Sequence, residues 1–217
     1  MSLPSNSTLY SPLHNFEFYN IHKNAQTSVL NTFEHHNDKS KDRINWYDIS
    51  KLPKDRKIIC ILRDVYDRAI SSFLYILKWG KGQMNIRKLS NEAYNKIMCN
   101  EKLFESFYYY LKEIKMNGFF DNHSLPQITF LNNDLRDKYK KYLHCSDRDI
   151  KKITHFFKFN DINKEFKKYF NINLRKDNTN QYLDKYKNLL KKNIHYFKKD
   201  IEEIYKEDII LLNKYLI

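Results

Sequence analysis

The chain contains only 3 glycines and 4 prolines among 217 residues. So few breakers exclude a fold made of many tight turns and predict long helices instead. Its three cysteines, Cys60, Cys99 and Cys145, stand far apart, which excludes both a disulfide framework and a CxxC metal site. No apolar run approaches the roughly 20 residues that cross a bilayer. The opening "MSLPSNSTLYSP" lacks the basic-then-apolar pattern of a secretory signal. A soluble, cytoplasmic type of protein with no stable membrane insertion is therefore expected.

Aromatic and basic residues, by contrast, are plentiful. With 17 tyrosines, 15 phenylalanines and 41% hydrophobic residues, the chain can fill the core of one domain. The formal net charge of +13 attracts polyanions without choosing among nucleic acid, acidic polysaccharide, anionic membrane and phosphorylated nucleotides. Lysine, asparagine, isoleucine and tyrosine are frequent throughout. A single lysine thus carries little functional information.

Periodicity orders the chain. Residues 1–15 read as an N-terminal extension, part of it compatible with an expression scar. "FEFYNI" (16–21) predicts a first strand, "TSVLNTFEHH" (27–36) a helix, and 35–56 a polar connection. "KIICIL" (57–62) is short, β-branched and almost wholly apolar, the pattern of a buried parallel strand. A helix over 65–79 follows, with Tyr66, Ile70, Phe73, Leu74 and Leu77 on one side, and Gly80 and Gly82 predict its end.

Residues 91–117 predict a long helix stopped by Gly118. Residues 125–131 and 153–159 predict short extended pieces, and 161–170 a helix with Asp161 as its N-cap. The tail from Tyr182 carries Leu190, Ile194, Phe197, Ile201 and Ile204 at helical spacing. The alternation predicts one α/β domain over 16–217, with a mostly parallel central sheet flanked by helices and a helical C-terminus.

Two stretches carry chemistry. "HKNAQTS" (22–28) lies where a strand meets a helix N-terminus, where unpaired N–H groups and the helix dipole favour an anion. Lys23 adds a charge, and Thr27 and Ser28 add hydroxyl donors. The GxxxxGK[ST] spacing of a Walker A loop is absent. Taken alone, the turn is a polar connection in which Thr27 caps a helix.

The second stretch, "RDVYDRAIS" (63–71), puts Arg63 at the end of a buried strand and opens a helix directly after it. Ligands of open α/β sheets sit beyond the carboxyl ends of strands, and an arginine fork with a hydroxyl suits a phosphate monoester. The bland alternative is a charged helix start in which Arg63, Asp64, Asp67 and Arg68 pair locally.

Together the two stretches resemble the sulfotransferase superfamily, in particular its carbohydrate branch of heparan- and chondroitin-type enzymes. That branch carries a PK-x-x-x-TS loop after its first strand and, later, a strand followed by R-[DH]-P-x-x-R-x-x-S. "DNHSLPQITFL" (121–131) is similar to its H-x-x-P-Q region, and "IYKEDIILLNKY" (204–215) to its closing Y-x-x-D helix. His22 and Val65 stand where the family usually has proline, and Gln26 where it has a small residue. Gln26 requires that no positive φ be needed at its position.

The resemblance implies a P-loop-like nucleotide-binding fold. It also implies transfer of a sulfuryl group from 3′-phosphoadenosine 5′-phosphosulfate (PAPS) to an acceptor hydroxyl, leaving PAP and using no metal. Lys23, Asn24, Ala25, Gln26, Thr27 and Ser28 would hold the 5′-phosphate, with Lys23 stabilising the leaving group. Arg63 and Ser71 would hold the 3′-phosphate. For the general base the candidates are His123, His36, His35 and Asp48, with His123 preferred and His36 next. His155, inside an apolar run, reads as structural.

Arg175 and Lys176 fall in a loop (174–187) where the family closes over the nucleotide, though a solvated loop is the plainer reading. The expected partner is a carbohydrate or other hydroxyl acceptor of acidic character, with nucleic acid not expected. The alternatives are a kinase or NTPase relative, which would want a glycine-rich loop, and a basic nucleic-acid-binding module based on the lysine- and tyrosine-rich 139–152.

Overall fold

The computed structural model describes residues 7–21, 23–34, 45–79, 89–119, 123–133, 149–174 and 181–216. Among them the chain forms two compact units. The first comprises Met1–Arg63, Gln127–Asn178 and Leu212–Ile217, and the second Asp64–Pro126 and Thr179–Leu211.

The first unit holds a five-stranded sheet. In chain order its strands are β1 (Ser7–Ser11), β2 (Phe16–Tyr19), β3 (Asn45–Asp48), β4 (Lys57–Leu62) and β5 (His155–Lys158), arranged spatially as β3-β1-β2-β4-β5. β2 pairs parallel with β4, and β4 with β5; β1 pairs antiparallel with both β2 and β3. The sheet is thus mixed, not mostly parallel as expected. The reason lies in two strands that polar composition conceals: β1 falls within the stretch read as an extension, and β3 within the polar connection.

Alternation gives the sheet two faces. Leu9, Phe16, Phe18, Ile59, Ile61 and Phe157 lie on one, all 2% exposed or less. α1 (Gln26–Glu34) packs onto this face through Val29, and α5 (Ile162–Phe170) through Phe166 and Phe170. Phe166 meets Phe16 and Phe157 edge-on at 6.2 and 5.6 Å. Each such ring stabilises the fold by about 1.5–3 kcal/mol through burial. Glu17, on the opposite face, is fully buried and paired with Arg56 Nε at 2.6 Å.

The second unit is helical. It contains α2 (Val65–Trp79), α3 (Asn91–Ile97), α4 (Leu103–Asn117), α6 (Gln181–Lys192), α7 (Lys198–Ile204) and the first part of α8 (Lys206–Tyr215). α2 occupies the predicted span and buries Ile70, Phe73, Leu74 and Leu77, while Tyr66 is half-buried. The predicted 91–117 helix is two helices, because Met98–Lys102 forms a turn and a short 3-10 segment. Gly118 ends α4 with φ +77 and an N–H bonded to the Ile114 carbonyl at 2.9 Å.

The C-terminal stripe is likewise broken into three helices. A turn at Ile194–Tyr196 and another at Tyr205 interrupt it, and Leu190, Phe197 and Ile201 supply its buried positions. Gln127–Phe130, expected as extended, is a 3-10 turn, and Asp161 makes no side-chain cap for α5. The expected helix end at Gly80 and Gly82 lies outside the described residues. No described helix is long and apolar enough to cross a membrane.

Candidate nucleotide site

β2 and β4 are parallel neighbours in register, Tyr19 beside Cys60, so their carboxyl ends lie at one edge of the sheet. The loops that follow them therefore emerge side by side, although Lys23 and Arg63 are forty residues apart in sequence. α1 starts at Gln26, one residue before its expected first residue, so Thr27 lies inside the first turn and is not the cap. Ala25 takes the cap position, its carbonyl accepting from Val29 N at 3.0 Å. An alanine cap has no oxygen to offer the first N–H groups of the helix, and that turn contains no acidic residue. The start of α1 is therefore electropositive.

The glycine-free turn meets its geometric demand at two other positions. Lys23 and Ala25 adopt left-handed backbone with φ 69 and 61, while Gln26 is helical. The condition placed on Gln26, that it need no positive φ, is met. Each left-handed non-glycine residue costs on the order of 1 kcal/mol. Between these two left-handed residues the Asn24 N–H turns back to donate to the Ile21 carbonyl at 3.1 Å, which closes the turn on the end of the strand.

Arg63 is 5% exposed at the end of β4. Its Nη1 donates to the Lys23 carbonyl at 2.9 Å, and its guanidinium lies over the Phe159 ring at 4.2 Å. Its backbone is held as well: the Arg63 N–H donates to Gln127 Oε1 at 2.9 Å, and Gln127 Nε2 donates to the Arg63 carbonyl at 2.8 Å. Gln127 Oε1 also accepts from Asn24 Nδ2 at 2.6 Å, and the same Nδ2 donates to the Ile61 carbonyl at 2.7 Å. Asn24 and Gln127 are fully buried. The structure thus brings Lys23, Asn24, Ala25 and Arg63 together. Gln127 and Phe159 are members of the group to which sequence reasoning gave no role; the signal for Gln127 was its place in the stretch similar to the H-x-x-P-Q region.

Ser71 and His123 belong to the helical unit. Ser71 is half-buried at the end of the second turn of α2. Its neighbour Ser72 is fully buried and donates to the His123 carbonyl at 2.6 Å, and the His123 ring stacks on Tyr75 at 4.0 Å. His123 is therefore fixed to α2 by a hydrogen bond and a ring contact.

The helix start at α2 is not a set of local pairs. Asp64 Oδ1 accepts from the N–H groups of Tyr66 and Asp67, while Asp67 pairs with Lys191 at 2.6 Å. Arg68 is 1% exposed, and none of its guanidinium nitrogens has a hydrogen-bond partner among the described residues.

Asp48 is engaged elsewhere. It accepts from the Ser50 hydroxyl at 2.7 Å and the Ser50 N–H at 3.0 Å; these bonds, the hydroxyl first, hold its carboxyl below the usual range. His155 sits in β5 against Tyr169 at 4.7 Å with Nδ1 2.9 Å from the Thr154 hydroxyl, in keeping with a structural role. Burial, and then the charge of Lys57, lower its pKa. His22, His35, His36, Arg175, Lys176 and the stretch 139–148 lie outside the described residues. No group of acidic, histidine or cysteine side chains among the described residues could hold a metal.

No protein-family model matches this chain, and neither a curated protein nor a solved structure matches it.

Proposed function

We propose that the chain is a sulfotransferase that moves a sulfuryl group from PAPS to an acceptor hydroxyl, on an acidic carbohydrate. The observation that carries the reading is the bond from Arg63 Nη1 to the Lys23 carbonyl at 2.9 Å, which puts the basic residue of the first motif beside the leading arginine of the second. A donor phosphorylated at both its 5′ and 3′ positions needs two anion-binding features near each other. The uncapped start of α1 with Lys23 fits one, and the Arg63 fork fits the other. The residues present accordingly suit the nucleotide.

The transfer is an in-line displacement in which the acceptor oxygen bonds to sulfur as the bond to the 5′-phosphate oxygen breaks. Negative charge grows on that leaving oxygen, so positioning and electrostatics do most of the catalysis. Lys23 and the N–H groups of residues 25–28 stabilise the departing phosphate, with the hydroxyls of Thr27 and Ser28 beside them. Arg63 takes the 3′-phosphate; the resemblance assigns Ser71 to that phosphate and His123 as the base that removes the acceptor proton. A P-loop-like relationship of the fold belongs to the same proposal.

The test is transfer of labelled sulfuryl from PAPS to a panel of desulfated acidic polysaccharides in the presence of a metal chelator. Incorporation that persists with chelator and disappears in Lys23→Ala supports the reading. Phosphoryl transfer from ATP that needs magnesium, with no sulfuryl transfer, would replace it by the kinase-type alternative.

A further inference from the structure

We infer that Gln127 is a positioning residue that sets the register between the two phosphate-binding halves of the site; this rests on the reading proposed above. A single side-chain amide satisfies three backbone and side-chain groups here. Gln127 Oε1 accepts from Asn24 Nδ2 at 2.6 Å and from Arg63 N at 2.9 Å, while Nε2 donates to Arg63 O at 2.8 Å. One buried side chain therefore grips Arg63 at both of its backbone groups and reaches the turn after β2 through Asn24.

The ring closes on its far side through Arg63 Nη1 and the Lys23 carbonyl at 2.9 Å. Lys23 and Ala25, the two left-handed residues, flank Asn24. Strained backbone of this kind persists only where surrounding contacts over-determine it, and the bonds from Asn24 to Gln127 and to the Ile61 carbonyl supply that constraint. A buried polar network of this sort also specifies a single arrangement, because a lost member leaves others unsatisfied in low dielectric.

Chemistry explains why glutamine serves here. The position must present one acceptor to two N–H donors and one donor to a carbonyl, across a single planar group. Glutamate keeps the acceptor but turns an oxygen toward the Arg63 carbonyl, and methionine keeps the approximate length but offers neither function. A residue that only filled space would tolerate both changes.

The experiment is a calorimetric double-variant cycle with PAP and adenosine 5′-phosphate on the full chain, using Arg63→Ala, Gln127→Met and the double variant. The expected result is that Gln127→Met lowers the preference for PAP over adenosine 5′-phosphate by about tenfold or more, the effect of losing one or two buried hydrogen bonds. Arg63→Ala should then cost little further preference in that background. Losses that add independently in the double variant, or a wild-type preference kept in Gln127→Met, would overturn the inference and leave the sulfotransferase reading standing. A wild-type chain with no preference for PAP would overturn both. Should Gln127→Met fail to fold, Gln127→Glu and Asn24→Asp break the same ring from its two ends and carry the same comparison.

Discussion

Arg63 Nη1 donates to the backbone carbonyl of Lys23 across 2.9 Å. An arginine fork has five N–H donors in fixed directions, so spending one on the neighbouring loop orients the rest. That bond does for the turn after β2 what a glycine-rich sequence does elsewhere: it fixes the backbone from outside, where the residues themselves do not prefer the conformation.

The turn stores strain at Ala25, whose φ is 61. Glycine occupies that region without the Cβ penalty, so Ala25→Gly should raise stability by up to about 1 kcal/mol. Ala25→Val, β-branched, should lower it by more than that. Urea denaturation of the three proteins gives the order, and equal stabilities would show that Ala25 is not strained.

Glu17 is buried beside Arg56 in the sheet unit, with Nε to Oε2 at 2.6 Å. Arg56→Met leaves the carboxylate without its charged partner, at a cost of about 3–5 kcal/mol. Adding Glu17→Gln should restore most of the loss. Additive losses in the pair of variants would contradict a coupled interaction.

Arg68 is buried without a hydrogen-bond partner among the described residues. A buried guanidinium without a hydrogen-bond partner is costly, so Arg68→Met should stabilise the helical unit by about 1–3 kcal/mol. Stability measured by denaturant midpoint at unchanged slope is the readout. A clear loss of stability would show that the charge is compensated.

His155 makes stability depend on pH. Burial first, and Lys57 second, place its folded-state pKa below the ordinary histidine value of about 6.5. Between those two values the unfolded chain holds more protons, so stability rises with pH there. It is fully present above the ordinary value and is lost as pH falls toward the folded-state one. Thermal melts from about pH 7 to about pH 5 should therefore show a smaller drop in His155→Gln than in the unaltered protein.

The elements that sequence made legible are those whose apolar pattern is dense. "KIICIL" is apolar at nearly every position and forms β4 over the predicted residues, and the stripe of α2 predicts its span equally well. β1 and β3 are half polar, since Ser7, Thr8, Ser11, Asn45 and Asp48 hide their pairing, which no local period reveals. That concealment also turned a mixed sheet into an expected parallel one.

In the site, the charged members were visible because Lys23 and Arg63 each follow a strand. Gln127 was not, because its meaning comes from contact with residues 64 and 103 positions away. The two positive φ values at Lys23 and Ala25 were equally hidden, because tertiary bonds and not glycine impose them.

The most direct test of the central claim is the affinity of PAP relative to adenosine 5′-phosphate, measured by calorimetry at two salt concentrations. The account predicts a clear preference for PAP that survives raised salt and disappears in Arg63→Ala. Equal, weak binding of both nucleotides that salt abolishes would contradict it, reducing the site to a basic surface.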